Sequence, residues 1–265
     1  IKEKFKCFIM GVDPAKNFKK KLNKSKIPTI FDFFNSRLSI KLKKKFNQFD
    51  LIFARNVVAH VPNPNEIFNG VQNLLKEKGI FVVEVPHLLN IYKYNQYDNI
   101  FHEHVGYHSL KSIVDLSKKN NLKVFDVEEI DSQGGSIRCY ICKKNYSKNI
   151  TKKTKSILSK EKSIGLTSSN KLKNFKFKIT NHIRKMKKMI RKLKKRNKKI
   201  SIYGASGKGQ ALMQYCKINS KVIKYVFDKS SLKQNCYTPS TNIKILNPKN
   251  LNKTKTNYLL ILSWN

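Results

Sequence analysis

The run KCFIMGVDP stays apolar from Cys7 to Val12 and then meets an acid and a proline, a pattern that predicts a short buried strand with Asp13 at its carboxyl end. A basic helix is expected from about Ala15, then a strand over IPTIFDFF, a helix through SIKLKKKF and a strand over FDLIFARNVV. In NEIFNGVQNLLKEKG, Ile67, Val71, Leu74 and Leu75 recur on one helical face, and Gly79 reads as the helix stop. IFVVEVP is a further strand, and SIRCYICKK alternates like one. Strands that alternate with helices predict a parallel α/β sheet covered on both faces.

Residues 145–199 break that alternation. They are rich in lysine, carry one small Ser/Gly patch at GLTSSN, and place Leu172, Phe175, Ile179, Ile183, Met186, Ile190 and Leu193 at near-helical spacing. This predicts one long basic amphipathic helix, whose plain role is to connect two domains and pack one stripe against them. After it, KISIYGASGKGQALMQYC is an apolar strand that runs into Gly204, Gly207 and Gly209 and then a helical pattern. Strand, glycine turn and helix together present backbone N–H groups and a helix N-terminus to an anion, with Ser206 and Lys208 placed to add contacts. A tight turn with no ligand fits the glycine spacing equally well. KYVFDKS is another strand closed by an acid, Asp228.

Composition narrows the class. The chain of 265 residues is 40% hydrophobic, enough for a packed core of one large domain or two small ones. It holds no run of 18 apolar residues and no secretory signal pattern, so a cytoplasmic protein with no membrane span is expected. Its five cysteines are scattered, and Cys139 and Cys142 lack a second pair at zinc-ligand spacing, which argues against a disulfide framework and against a metal site. The net charge of +40 would ordinarily point to a polyanion. Here lysine is spread over nearly every segment, including residues 19–26, 41–45 and 249–255, so it favours a phosphate-bearing ligand more than a specific nucleic acid.

The segment NIFHEHVGYHSL concentrates His102, Glu103, His104 and His108 in a chain with six histidines. Such crowding suits proton transfer or metal binding, and half-buried structural histidines fit it as well.

Taken in order, GVDPAKN, IPTIFDFF, NVVAHVPN, EVPHLLN, YDNIFHEHVGY, QGGSIR, YGASGKG and YTPSTNI resemble the S-adenosylmethionine-dependent sugar C-methyltransferases, which act on nucleotide-linked keto-deoxysugars. The resemblance implies a Rossmann-like methyltransferase domain over residues 1–145, incomplete at its N-terminus, a basic linker helix region over 146–198, and a second Rossmann-like domain, for the nucleotide sugar, over 199–265. It also implies that a zinc module and the first glycine-rich turn belong upstream of Ile1, so zinc is expected only there and the 265 residues are expected to be inactive alone. On the same basis His104 is the base that removes the proton beside the keto group, and Glu103 and His60 line that site. S-adenosylmethionine would be met by Asp13 at the ribose, Asp32 and Phe33 at the adenine, and Asn56 near the methionine moiety. Ser206, Lys208 and Lys233 would hold the nucleotide-diphosphate keto-sugar. Two positions depart from the family: Phe101 stands where tyrosine is usual, and His108 where an aromatic is usual. The competing expectation is a non-enzymatic basic protein that binds nucleic acid or acidic glycan on a truncated methyltransferase fold. A dinucleotide oxidoreductase is a weaker one, since no hydride-transfer constellation accompanies the glycine turn.

Overall fold

Only the ends of the two amino-terminal apolar runs pair, as two-residue parallel strands, in the computed structural model, which describes residues 2–19, 27–166 and 168–264; Cys7 and Phe8, expected in a buried strand, are exposed. β1 (Gly11–Val12) places Gly11 opposite Thr29 and Val12 opposite Ile30 of β2 (Thr29–Ile30). The helix expected from Ala15 begins as a 3-10 turn, Lys16–Phe18, and its residues 20–26 lie outside the described residues. α1 (Ser36–Phe46) starts where Asn35 caps it, the Oδ1 atom accepting the Leu38 N–H at 2.8 Å. Removing that acceptor leaves a helix N–H without its partner. Asn35→Ala is therefore expected to cost about 1 kcal/mol in denaturant unfolding.

The chain forms two compact units that interleave along the sequence. The first comprises Ile1–Val85, Leu110–Glu128 and Ile137–Ser156; the second comprises Pro86–Ser109, Glu129–Ser136 and Ile157–Asn265. The segment with the clustered histidines thus belongs to the same unit as the glycine turn after residue 203.

In the first unit, β3 (Phe49–Arg55), β4 (Leu75–Pro86), β5 (Leu122–Ile130) and β6 (Ser136–Lys143) form one sheet in the order β3-β4-β6-β5, with β3 and β4 parallel. α2 (Pro64–Leu74) and α3 (Leu110–Lys119) bury Phe68, Val71, Leu110 and Ile113. Phe68 meets the fully buried Phe81 of β4 edge-on at 5.5 Å, a geometry that aromatic quadrupoles favour. A smaller cluster joins Met10, Val12 and Ile30 to Leu38, Leu42, Phe49 and Ile52.

Gly79 does not stop α2. The helix ends at Leu74, and Leu75 already pairs with Phe49 in the sheet, after which the register shifts and Leu51 faces Ile80. A Cβ on Gly79 would lie 2.8 Å from Leu75 Cδ1 and 3.0 Å from the Phe49 carbonyl, so this glycine serves a close backbone approach inside the looped-out strand.

In the second unit, β7 (Ile200–Tyr203), β8 (Tyr225–Phe227), β9 (Lys244–Leu246) and β10 (Tyr258–Ile261) form an all-parallel sheet in the order β10-β7-β8-β9. The long helix expected over 145–199 is two helices, α4 (Lys152–Ile164) and α5 (Ser169–Lys195). Gly165 at φ +63 breaks the first, and Ser168 caps the second by accepting the Lys171 N–H. The predicted stripe holds: Ile183, Met186, Ile190 and Leu193 pack on the Ile202 and Val226 core, while Phe175 and Ile179 pack on Ile91 and Tyr97. Leu172, expected in that stripe, is exposed. α6 (Gly207–Tyr215) follows β7. Among the described residues no helix is long and apolar enough to cross a membrane.

Candidate active site

At the carboxyl end of β7 the chain turns at Gly204, whose φ of +96 suits glycine alone. The Gly204 N–H donates to the Phe227 carbonyl at 2.8 Å, and Ser206 then caps α6 by accepting the Gly209 N–H at 3.1 Å. Asp228, at the end of β8, accepts the Ala205 N–H through Oδ2 and the Ser230 N–H through Oδ1, each at 2.8 Å. Burial opposes ionisation of Asp228, but those two donors and Lys233, 3.5 Å away, outweigh it and hold its pKa below the usual carboxylate value. This acid therefore braces the glycine turn. Lys233 donates to the Ala205 carbonyl at 2.8 Å on the same turn. The result is a cavity of about 700 Å³ with Ser206, Lys233, Gln210 and Tyr237 in its wall beside Phe101 and Glu103.

The histidine segment supplies the facing wall. His104 Nδ1 lies 2.9 Å from the Asn99 carbonyl, and its ring lies against Phe101 with centroids 4.4 Å apart. The Tyr107 hydroxyl donates to the His104 carbonyl at 3.0 Å, and burial raises its pKa. A carbonyl can only accept, so Nδ1 carries the hydrogen and Nε2 is the nitrogen able to take a proton. His102 and Glu103 are exposed on the cavity rim with 3.7 Å between them. His108 is buried and bridges backbone to backbone with His87. Residues 104–108 contain no helix, so their i, i+4 spacing does not stack two imidazoles on one face. Among the described residues no three His, Cys, Asp or Glu side chains form a metal cluster.

Lys208 parts company with Ser206 and Lys233. Two positions along a helix turn a side chain by roughly 200°, and Lys208 faces a second cavity of about 320 Å³ with Asn95, Asp98, His182 and Trp264. It is 7% exposed, donates to the Gln133 carbonyl at 3.3 Å and sits 5.5 Å over the Trp264 ring. Burial pulls its pKa down, against the attraction of Asp98, which accepts the Trp264 indole N–H at 2.6 Å.

In the first unit, Asp13 and Asp32 lie just past the carboxyl ends of the parallel strands β1 and β2, where ligands of such sheets bind. Asp13 Oδ1 accepts the Ala15 N–H at 2.8 Å and Asp32 Oδ1 the Phe33 N–H at 2.7 Å, which fixes both carboxylates while leaving them exposed. The Phe33 ring is 67% exposed. Asn56 follows β3 with φ +52, its N–H on the Glu84 carbonyl at 2.9 Å, and its Oδ1 is buried with no hydrogen-bond partner. His60 ends the 3-10 turn Val58–His60 and is exposed.

A charged row in this sheet has no signature in the sequence. Arg55, Glu84, Arg138 and Glu128 run across β3, β4, β6 and β5 with contacts of 3.0, 3.2 and 3.2 Å, and the Tyr140 hydroxyl donates to Glu128 at 3.0 Å. Charges on four separate strands carry no mark of their partners. Only the register, Arg55 opposite Glu84, reveals the pairing.

A family profile described as C-methyltransferase C-terminal domain matches residues 131–265, and one described as methyltransferase domain matches residues 2–127. The C-methyltransferase NovU of Streptomyces niveus is 31% identical over 257 residues, covering 97% of this chain and 61% of NovU. The chain thus spans about three-fifths of the length of that curated relative. Among solved structures, a SAM-dependent methyltransferase from Anabaena variabilis superposes at TM-score 0.41 with 12% identity over 51% of this chain and 67% of the other. An S-adenosylmethionine-dependent methyltransferase from Clostridium acetobutylicum gives 0.39 and 14% over 49% and 73%.

Proposed function

We propose, from the premise that this chain belongs to the C-methyltransferase family, that its protein moves a methyl group from S-adenosylmethionine to the carbon beside the keto group of a nucleotide-linked deoxysugar. The observation that carries this reading is the hydrogen bond from His104 Nδ1–H to the Asn99 carbonyl, which leaves Nε2 as the basic nitrogen of a residue adjoining Glu103 of the cavity wall. A carbon acid next to a carbonyl becomes a nucleophile only as its enolate. His104 Nε2 takes the C–H proton, and the C–H electron pair moves into the enolate, with the developing charge on the carbonyl oxygen. The chain must then hold that carbon in line with the methyl donor and keep water away. Glu103, on the rim, is placed to accept a hydrogen bond from a sugar hydroxyl.

S-adenosylmethionine, when bound, supplies an electrophilic methyl on a sulfonium. The first unit fits that group: two braced carboxylates suit ribose hydroxyls (Asp13) and an adenine amine (Asp32), Phe33 offers an open ring face, and the orphaned Asn56 Oδ1 can accept from an ammonium. His60 rests on the family resemblance alone as a group lining the reaction site. For the second unit we read the parallel sheet as a Rossmann-like domain for the nucleotide sugar and α5 as its connecting helix. Ser206 and Lys233 then face the diphosphate, with lysine as a point charge.

Calorimetry separates the two lysines. Lys233→Ala is expected to raise the sugar-nucleotide dissociation constant about tenfold, roughly 1.4 kcal/mol, without changing S-adenosylmethionine binding. Lys208→Ala is expected to change it less than threefold, because its side chain faces the smaller cavity. The opposite pattern would move the ligand there. The reading of a basic polyanion-binding protein is tested in the same instrument, since such binding would fall steeply and linearly in log salt whereas a pocket would discriminate sugar and base.

A further inference from the structure

His87 and Glu161 form a buried pair that is not among the residues given a role above in proton removal or methyl transfer. His87 is 0% exposed and Glu161 4%, and His87 Nε2 lies 2.7 Å from Glu161 Oε1, 74 residues away in sequence. The main chain around His87 is tied as tightly. Its N–H donates to the Gly135 carbonyl at 3.1 Å, the Leu88 N–H donates to the His108 carbonyl at 2.9 Å, and His87 and His108 pair as a β-bridge. Residues 88–107 therefore leave and return at one closed point, and the loop between holds Asn99, Phe101 and His104. The His87 side chain tethers that closure to Glu161, on α4.

We propose that the His87–Glu161 pair is a positioning device for the His104 segment, orienting the base without touching substrate. The inference rests on the reading of His104 as the base. Two buried polar groups of this kind are poor stabilisers, because apolar residues of similar volume often replace such a pair without loss of stability. What they supply instead is direction. A 2.7 Å hydrogen bond fixes the angle at which the loop closes, and a displacement of about 1 Å at a reacting group can cost roughly 100-fold in rate.

The test uses the protein as its gene encodes it, whole, with the double variant His87→Leu and Glu161→Met. Deuterium exchange at the substrate carbon, per folded molecule, is expected to fall at least tenfold, while the dissociation constants for S-adenosylmethionine and the sugar nucleotide stay within threefold of the parent. Glu161→Gln, which keeps an acceptor for the imidazole N–H, is expected to recover most of the parent rate. Exchange within twofold of the parent in the double variant would overturn the proposal; if that variant does not fold, Glu161→Ala read per folded molecule decides on the same terms. His104→Ala, run alongside, keeps the two ideas apart: exchange that survives it sinks the base assignment, whereas exchange lost in it and unchanged in the double variant sinks only the positioning role.

Discussion

Replacing His104 by alanine is expected to stop deuterium exchange at the substrate carbon and to lower methyl transfer by about 10²–10⁴, the usual contribution of a positioned base. Binding of S-adenosylmethionine should be nearly unchanged, because the carboxylates expected to hold it, Asp13 and Asp32, belong to the first unit. The size of the effect follows from geometry. Nδ1 is committed to the Asn99 carbonyl and the ring lies on Phe101, so one tautomer in one orientation presents Nε2. No water can take over this task at comparable rate, since it lacks both the basicity and the fixed position. Exchange retained in the variant would assign the base elsewhere, with Glu103 on the same rim as the first alternative.

Gly204→Ala is expected to destabilise the second unit by about 2–5 kcal/mol, combining backbone strain with overpacking. At φ +96 a side chain is strained wherever it points, and the added Cβ would also meet Ser263, 2.6 Å from its Cβ and 3.0 Å from its backbone nitrogen. Backbone nitrogen cannot swing aside as the end of a flexible side chain can. The turn that Asp228 braces would open, and sugar-nucleotide binding should weaken with it. Gly207→Ala is the control, because its Cβ would meet only Phe101 ring carbons at 3.5 and 3.8 Å in ordinary contact. Alanine at that first helical position should be neutral or stabilise by up to about 1 kcal/mol. Equal unfolding midpoints for the two variants would contradict this view of the turn.

The elements legible in the chain are those set by local pattern. YGASGKG forms strand, turn and helix because apolar run, glycine spacing and cap all lie within ten residues, and Ile67, Val71 and Leu74 share a buried face because a 3.6-residue period needs no partner to define it. Gly79 and Gly165 mislead for opposite reasons. Gly79 has the spacing of a helix stop and is a close approach in a strand, while Gly165 opens a Ser/Gly patch inside a segment whose apolar spacing predicts one continuous helix, and breaks that helix. Adjacency assigns Ser206 and Lys208 to one ligand, yet the helix begins between them and turns them apart. Contacts such as Arg55 with Glu84 and His87 with Glu161 leave no trace in the sequence, since they depend on registers and packing between residues 29 and 74 positions apart. Asp13 is legible as an acid closing a strand, and its exposed carboxylate lies where a parallel pair ends.

The most direct test supplies the protein, as its gene encodes it, with S-adenosylmethionine carrying a ¹³C methyl group and with a nucleotide-linked keto-deoxysugar, and follows the label by NMR. The expected product carries the ¹³C methyl on the carbon adjacent to the keto group, and the same sample made with His104→Ala shows no transfer above background. Label arriving on an oxygen or nitrogen, or equal transfer by the His104→Ala protein, would contradict C-methylation through a histidine-generated enolate.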